Sequence, residues 1–257
     1  MREDISLLID TYVSNYEKKE NIKSQWEKPI VKFASAKDNR FLNLKQSVNE
    51  SHLMPEDLLE GSQSIITYFL PFEESIVNSN ITGSNSSREW SVAYIETNQL
   101  ISDLNQYIIE YLEKNGFKGI SLPATHNFDE KTLMSQWSHR HIAEIAGLGT
   151  FGLNNMLITE SGCCGRIGSV VTNLYLEPSE KIEEELCLYK LDGSCGICVN
   201  RCQFNALTYS QFDRKRCYEI CLTNDKYHLD LDVTDVCGKC CVNLPCSFNK
   251  PNKSSSL

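Results

Sequence analysis

The chain has 257 residues, of which 41% are hydrophobic, and a formal net charge of −9 at pH 7. That length and apolar content suffice for one large folded domain with a smaller one attached. The acidity disfavours a general nucleic-acid surface, because phosphate binding depends on clustered lysine and arginine. The chain begins without an export signal and has no apolar run of about 20 residues, the length that spans a membrane. We therefore expect a cytoplasmic protein with no membrane contact.

The N-terminal third alternates helical and strand patterns. Apolar residues at helical spacing predict an amphipathic helix over residues 5–27. A short helix at 55–59 leads into residues 64–71, a β-prone apolar run that ends at Pro71 and predicts a buried strand. Residues 78–87 are rich in Asn, Ser and Gly, which predicts a mobile loop that acts as a lid over a site.

The middle of the chain predicts a long helix over 90–115, ended by Asn115-Gly116, and a second helix over 135–146. Strands are predicted at 117–122, 154–159 and 166–174, and an acidic helical linker at 178–186. This succession of helices and strands predicts a mixed fold of the α/β class, more narrowly α+β. The first domain is predicted over residues 1–178 and the second over 179–257.

All 12 cysteines lie after position 162 in a spaced pattern that includes Cys195-Gly-Ile-Cys198 and Cys237-Gly-Lys-Cys240. Thiolates two or three residues apart can converge on one inorganic core. A disulfide framework would need an oxidising compartment, and structural zinc would use only two Cys-x2-Cys pairs and leave the other spaced cysteines unexplained. The pattern therefore favours an iron–sulfur module.

Three glycines, Gly147, Gly149 and Gly152, separate a predicted helix from a predicted strand. Glycine lets a backbone approach a neighbour closely, and that neighbour is equally a bound ligand or the protein itself. A phosphate-binding loop is excluded, because no Gly-Lys-Ser/Thr ends the run and the run follows a helix instead of opening one.

Several segments together resemble one family. These are the run from Ala146 to Asn155, the strand Arg166-Ile-Gly-Ser-Val-Val-Thr172 and the run Cys195-Gly-Ile-Cys198-Val-Asn-Arg-Cys202. They resemble the epoxyqueuosine reductases, cobalamin-dependent iron–sulfur proteins related to reductive dehalogenases, over residues 64–248. The resemblance implies a nitroreductase-like cobalamin domain over 1–178 and a ferredoxin-like domain with two [4Fe–4S] clusters over 179–257, without the C-terminal helical repeats of longer members.

The resemblance also implies two interleaved ligand sets, as in two-cluster ferredoxins. One cluster would be held by Cys187, Cys195, Cys198 and Cys246, and the other by Cys202, Cys217, Cys237 and Cys240. In most relatives the first cysteine stands three residues before the second, where this chain has Asp192. Either Cys187 or Asp192 then completes the first set.

Cobalamin is expected base-off, with no protein ligand below cobalt. The implied cofactor-binding residues are Ser138, Arg140, Ala146, Gly147, Leu148, Gly149, Gly152, Asn154, Asn155, Cys163, Gly168 and Ser169. Epoxyqueuosine reductases carry an acidic proton donor where this chain has Leu133, and a glutamate where it has His139. The candidate catalytic residues are therefore Tyr94, His139, Arg140 and His141, with His126 as a further proton donor. For each histidine, the alternative is a satisfied structural side chain.

These features predict an oxidoreductase that reduces a small substrate with cobalamin at the Co(I) level, fed by an external electron donor such as ferredoxin or flavodoxin. A protein that transfers electrons to a partner's corrinoid, without an organic substrate, is the alternative from another class. Genuine epoxyqueuosine reduction on tRNA is a third hypothesis, disfavoured by the acidity and by the expected lack of helical repeats.

Overall fold

The computed structural model describes residues 1–251; the last residues of the predicted second domain, 252–257, lie outside this range. The helices are α1 (Arg2–Tyr16), α2 (Arg40–Ser47), α3 (Pro55–Leu58), α4 (Glu74–Ser79), α5 (Arg88–Lys114), α6 (His139–Ile145), α7 (Leu188–Asp192), α8 (Ile197–Arg201) and α9 (Arg214–Tyr227). The strands are β1 (Ile30–Ser35), β2 (Ser64–Pro71), β3 (Gly119–Ile120), β4 (Phe128–Asp129), β5 (Met134–Ser135), β6 (Thr150–Phe151), β7 (Leu157–Ile158) and β8 (Gly165–Thr172).

The main sheet has the order β1-β2-β8-β3, and each neighbouring pair is antiparallel. Every residue of β2 is buried, and the two-residue period of a strand sends alternate side chains to opposite faces. Ile66 and Leu70 join the apolar core with α1 and α5, whereas Ile65 packs with α2 and α6. Helices thus cover both faces of the sheet, which confirms the predicted α/β class.

Helix α5 carries the side chains that later form one wall of the site. Ser87 caps its start, since the Ser87 hydroxyl accepts a hydrogen bond from the Trp90 N–H at 3.1 Å. Gly116, at φ +82°, follows its C-terminal end, a conformation that favours glycine. The long helix predicted over 90–115 is therefore confirmed, with its first turn facing the cysteine-rich segment.

One predicted helix is shorter in the structure and another is absent. Helix α1 ends at Tyr16 instead of continuing to residue 27, and Trp26 instead forms a β-bridge with Phe72. The linker 178–186 is not helical. Its acidic residues would lie three or four apart on a helix, where like charges repel, and Ser179 instead exchanges two hydrogen bonds with the backbone of Phe33.

The prediction of a mobile lid over residues 78–87 is also wrong. This loop is hydrogen-bonded to the cysteine-rich segment: the Lys239 ammonium donates to the carbonyls of Asn80 at 2.9 Å and Thr82 at 2.7 Å. The Asn80 amide donates in turn to the Cys237 carbonyl at 2.9 Å. Lys239 is only 1% exposed, so the loop ties the cysteine-rich segment to the sheet domain.

The two predicted domains share an apolar core, because Cys187, Cys241 and Val242 pack in the same cluster as β2 and α5. The boundary at residue 178 stays a prediction. Within residues 1–251, no helix is both long enough and apolar enough to cross a membrane.

Candidate functional site

The first cysteine cavity is bounded by Cys187, Cys195, Cys198 and Cys246. Cys187 precedes α7, and Cys195 and Cys198 flank the start of α8. Leu188, Leu244 and Pro245 supply apolar walls. The structure thus brings together the whole first ligand set that the resemblance implies. Of the two alternatives for its first member, Cys187 lies in the wall, while the Asp192 carboxylate accepts a hydrogen bond from the Ser194 N–H at 3.0 Å.

The second cysteine cavity, of about 370 Å³, contains the other implied set, Cys202, Cys217, Cys237 and Cys240. Cys202 ends α8, and Cys217 lies in the first half of α9, whose start is capped by Asp213. Cys221 follows Cys217 by one helical turn, on the same face, and also lines this cavity. Sequence reasoning treated Cys221 as a small buried side chain, so its position beside Cys217 was missed.

The donor chemistry of both cavities fits iron–sulfur clusters. Within residues 1–251, no three His, Cys, Asp or Glu side chains converge as ligands of one metal ion. A cubane cluster binds each thiolate at a different iron atom, so its ligands surround a larger core than those of a single zinc ion. The first cavity is lined by four cysteines and the second by seven, four of which form the implied set, so each offers enough thiols for one cluster.

A third space, the hairpin cavity, has a volume of about 390 Å³ and lies beneath the β4–β5 hairpin and the start of α6. It adjoins the second cysteine cavity, and the two share Thr125, Phe128, Met156, Cys163, Gly165 and Arg166. Pockets for cofactors commonly have volumes of about 300–1,000 Å³ with apolar walls and a few polar groups. The hairpin cavity thus has the size of a ligand pocket and adjoins a candidate cluster site.

Three side chains form a hydrogen-bonded chain at the wall of the second cysteine cavity. The Tyr94 hydroxyl donates to Oδ1 of Asp235 at 2.6 Å, and Nε2 of His126 donates to Oδ2 at 3.0 Å. The Asp235 side chain is 6% exposed and the His126 side chain 46% exposed. Buried tyrosine is thereby connected through a buried carboxylate to a histidine in contact with solvent.

Arg166 completes this wall, with its guanidinium carbon 4.5 Å from the centre of the Tyr94 ring. Burial raises the pKa of Tyr94, the Arg166 cation opposes the rise, and the hydrogen-bonded Asp235 adds to it. Sequence reasoning missed both Asp235 and Arg166 as site residues. No local signal marks Asp235, because it meets Tyr94 across 141 positions of the chain.

His139 has the environment of a structural residue. Trp137 Nε1 donates to the Ser169 hydroxyl at 3.1 Å, and the Ser169 hydroxyl is 2.9 Å from His139 Nδ1. The other ring nitrogen, Nε2, donates to the Pro123 carbonyl at 3.1 Å, which makes Nδ1 an acceptor. Burial lowers the pKa of His139 to about 4; the hydrogen bond to Pro123 acts against this change, and the positive charge of Arg166 adds to it. The ring is neutral and fully hydrogen-bonded at pH 7.

His141 and Arg140 point in different directions. Nδ1 of His141 is 2.7 Å from the Ser138 hydroxyl, and burial, with Arg140 as a nearby cation, lowers the pKa of His141 to about 4. The exposed Arg140 lines the hairpin cavity and donates to the Asn155 carbonyl at 2.5 Å. Arg140 is therefore available to a ligand, and His141 is directed away as a hydrogen-bonded neighbour of Ser138.

The glycines pack against the protein itself. A Cβ on Gly147 would lie 2.1 Å from the Glu180 carbonyl oxygen, and one on Gly149 would lie 2.2 Å from that of Ile158. On Gly168 it would meet the Tyr68 hydroxyl at 2.3 Å. The packing alternative thus accounts for these glycines without a ligand.

The other implied cofactor-binding residues are divided among three places. Ser138, Arg140 and Cys163 line the hairpin cavity, whereas Gly152 and Asn154 line the first cysteine cavity. Of the remaining four, Ala146, Leu148 and Ser169 lie in the packed interior, and the half-buried Asn155 accepts a hydrogen bond from Arg140 through its carbonyl. Their contact with cobalamin stays a prediction.

The pair Cys163-Cys164 joins the start of β8 to the cysteine-rich segment. The Cys163 N–H donates to the Cys246 carbonyl at 2.9 Å, and the Cys164 thiol donates to the Cys241 carbonyl at 3.0 Å. Cys163 lines both the hairpin cavity and the second cysteine cavity. This pair therefore lies where the three cavities approach one another.

No family model and no curated protein matches the sequence. Solved structures do match in fold. An epoxyqueuosine reductase from Bacillus subtilis is 17% identical, with a TM-score of 0.58 over 98% of this chain and 68% of its own. An epoxyqueuosine reductase solved with an epoxyqueuosine-modified tRNA-Tyr stem loop is 18% identical, with a TM-score of 0.60 over 98% of this chain and 68% of its own.

Reductive dehalogenases match over a smaller share of their length. A catabolic reductive dehalogenase is 16% identical, with a TM-score of 0.56 over 88% of this chain and 30% of that protein. Another of these dehalogenase structures, with the same identity and TM-score, suggests a mechanism for B12-dependent dehalogenation. The fold is thus the one shared by epoxyqueuosine reductases and B12-dependent reductive dehalogenases, which confirms the resemblance drawn from the motifs at the level of fold.

Proposed function

We propose that this protein is a cobalamin- and iron–sulfur-dependent reductase of a small substrate. The observation that carries the proposal is the distribution of cysteines: two four-cysteine sets surround two separate cavities, and the second opens into the hairpin cavity. This arrangement supports the proposal, because one four-cysteine set would then hold a cluster next to the hairpin cavity and the other would hold a cluster further along the cysteine-rich segment.

When bound, the clusters and cobalamin would supply the one-electron reducing chemistry, with an external donor such as ferredoxin or flavodoxin as the source of electrons. The chain's own residues hold these groups and exclude water. Ser138, Arg140 and Cys163 offer polar atoms on the wall of the hairpin cavity and would help to hold cobalamin there.

Tyr94 is the proposed proton donor. Its side chain is buried, lines the second cysteine cavity and hydrogen-bonds to Asp235. After Tyr94 gives its proton, Asp235 and the exposed His126 provide a route for a replacement proton from solvent. Leu133 lines the hairpin cavity with an apolar side chain, so it cannot serve that role.

The enclosed position of Tyr94 favours an enzyme over a carrier that only passes electrons to a partner's corrinoid. A carrier has no need for a buried proton donor, whereas a reductase must protonate the product of electron transfer. The tRNA hypothesis receives no comparable support from the described residues.

The test is anaerobic purification with iron, cobalt and zinc quantified per chain, together with visible and EPR spectra. We expect about eight iron atoms and about one cobalt atom per chain. Zinc in place of both would overturn the proposal.

A matched pair of variants examines the second ligand set. We expect Cys217→Ser to lower the iron content from about eight atoms to about four, whereas Cys221→Ser, one helical turn away, keeps about eight. The reverse outcome would show that Cys221 is the ligand and that the set is wrong at this position.

A further inference from the structure

The three tryptophans of the chain differ in one respect. The indole N–H of Trp26 donates to the Thr97 hydroxyl at 2.9 Å, and that of Trp137 donates to the Ser169 hydroxyl at 3.1 Å. The indole nitrogen of Trp90 is buried and has no hydrogen-bond partner among the described residues. A buried donor without a partner destabilises the folded protein. The Trp90 N–H therefore lacks a hydrogen-bond acceptor among the described residues.

The position of Trp90 points to the origin of that acceptor. Among the buried polar atoms of residues 1–251 that lack a partner, this one alone belongs to a side chain that lines the second cysteine cavity. Gly238 lies between Cys237 and Cys240, and a Cβ added to Gly238 would lie 2.7 Å from the Trp90 indole nitrogen. The N–H edge of the indole thus packs directly on the loop that carries two of the implied ligands.

The orientation of the indole is held from two sides. The Phe72 ring meets the Trp90 ring edge-on, with centroids 5.2 Å apart and an interplanar angle of 83°. The Trp90 backbone lies in the first turn of α5, which Ser87 caps. Gly238 adopts φ +71°, so the loop has both the conformation and the missing side chain that this contact requires.

We propose that the Trp90 indole N–H donates a hydrogen bond to a sulfur atom of the cluster held by Cys202, Cys217, Cys237 and Cys240, and thereby raises its reduction potential. This inference rests on the proposed function. A donor at a cluster sulfur stabilises the reduced cluster, which carries one more negative charge than the oxidised cluster. The reduction itself adds one electron from the external donor and breaks no bond, so Trp90 changes the potential of the cluster without taking part in any bond that forms or breaks.

The test compares Trp90→Phe with the matched control Trp26→Phe in EPR-monitored redox titrations of anaerobically purified protein. Phenylalanine keeps an aromatic ring and removes the N–H. We expect Trp90→Phe to lower the reduced-to-oxidised ratio of the second cluster about tenfold at a fixed potential, a negative shift of about 59 mV for one electron. The first cluster is an internal reference and keeps its midpoint, and Trp26→Phe leaves both midpoints unchanged.

The outcomes separate this inference from the proposed function. If the Trp90→Phe variant contains its full iron but its second midpoint is unshifted, the inference is wrong and the reductase proposal stands. If wild-type protein contains no iron, the reductase proposal itself fails.

A second measurement uses only wild-type protein and therefore does not depend on the folding of a variant. In wild-type protein labelled with indole-15N tryptophan, we expect a magnetic coupling between 15N and the reduced second cluster in pulsed EPR. A reduced cluster without that coupling would overturn the hydrogen bond.

Discussion

Replacement of His139 by glutamine tests whether this histidine is a structural residue or a proton donor. Glutamine can still donate to the Pro123 carbonyl but does not titrate. Burial lowers the pKa of His139 from 6.5 to about 4. One pKa unit corresponds to about 1.36 kcal/mol. When the unfolded chain binds a proton at His139 and the folded chain does not, the free energy of unfolding therefore falls by at most roughly 3 kcal/mol.

The direction of the effect follows from which state binds the proton. Between pH 6.5 and about pH 4, the unfolded chain protonates His139 and the folded chain does not. The free energy of unfolding is therefore fully retained above pH 6.5 and falls as the pH drops through this window. At about pH 5 the loss due to His139 alone amounts to about 2 kcal/mol.

The assay is anaerobic urea unfolding of wild type and the His139→Gln variant at about pH 7.5 and about pH 5. We expect the wild type to lose about 2 kcal/mol more than the variant between the two values. His141 remains in both proteins, so its own depressed pKa contributes equally and cancels. Equal losses in the two proteins would refute the reasoning, since His139 would then titrate in the folded state as it does in the unfolded chain.

Three further predictions follow from the site. Tyr94→Phe should lower turnover by about 10²–10⁴-fold while the iron and cobalt contents stay unchanged. Asp235→Asn should also lower turnover. Unchanged turnover in Tyr94→Phe would exclude Tyr94 as the proton donor. Gly238→Ala should lose the second cluster, seen as about half of the iron, because a Cβ would collide with Trp90; full iron would contradict that contact. Lys239→Met should lower the free energy of unfolding by about 2 kcal/mol or more, because the Asn80 and Thr82 carbonyls lose their donor. An unchanged urea midpoint would show that these two hydrogen bonds do not stabilise the fold.

The sequence predicted well the elements whose apolar pattern continues over their whole length. Strand β2 is a continuous apolar run that ends at proline, and it is buried at every position. Helix α5 has an apolar face over its whole length. The acidic linker was mispredicted because a helical pattern of charges does not reveal that Ser179 hydrogen-bonds to the distant Phe33 backbone.

The candidate site was predictable only where its residues are close in the sequence. The two ligand sets implied by cysteine spacing and the family resemblance line two separate cavities, with Cys187 in the first, and their role as cluster ligands stays a prediction. The spacing could not show that His139 is enclosed by Ser169 and Pro123. Nor could it indicate Asp235, because a carboxylate acquires its role here only when folding brings α5 and the 233–236 loop together.

The proposed proton route also constrains how a substrate can bind. In this chain the hairpin cavity is lined by Leu133, an apolar residue with φ +54°, whereas Tyr94 lines the adjoining second cysteine cavity and Arg166 lines both. Protons would therefore reach the substrate from the α5 side, beside the second cysteine cavity. A substrate that is reduced here must place the atom to be protonated near the Tyr94 hydroxyl, and the Arg166 cation favours substrates that carry or develop negative charge close to that atom.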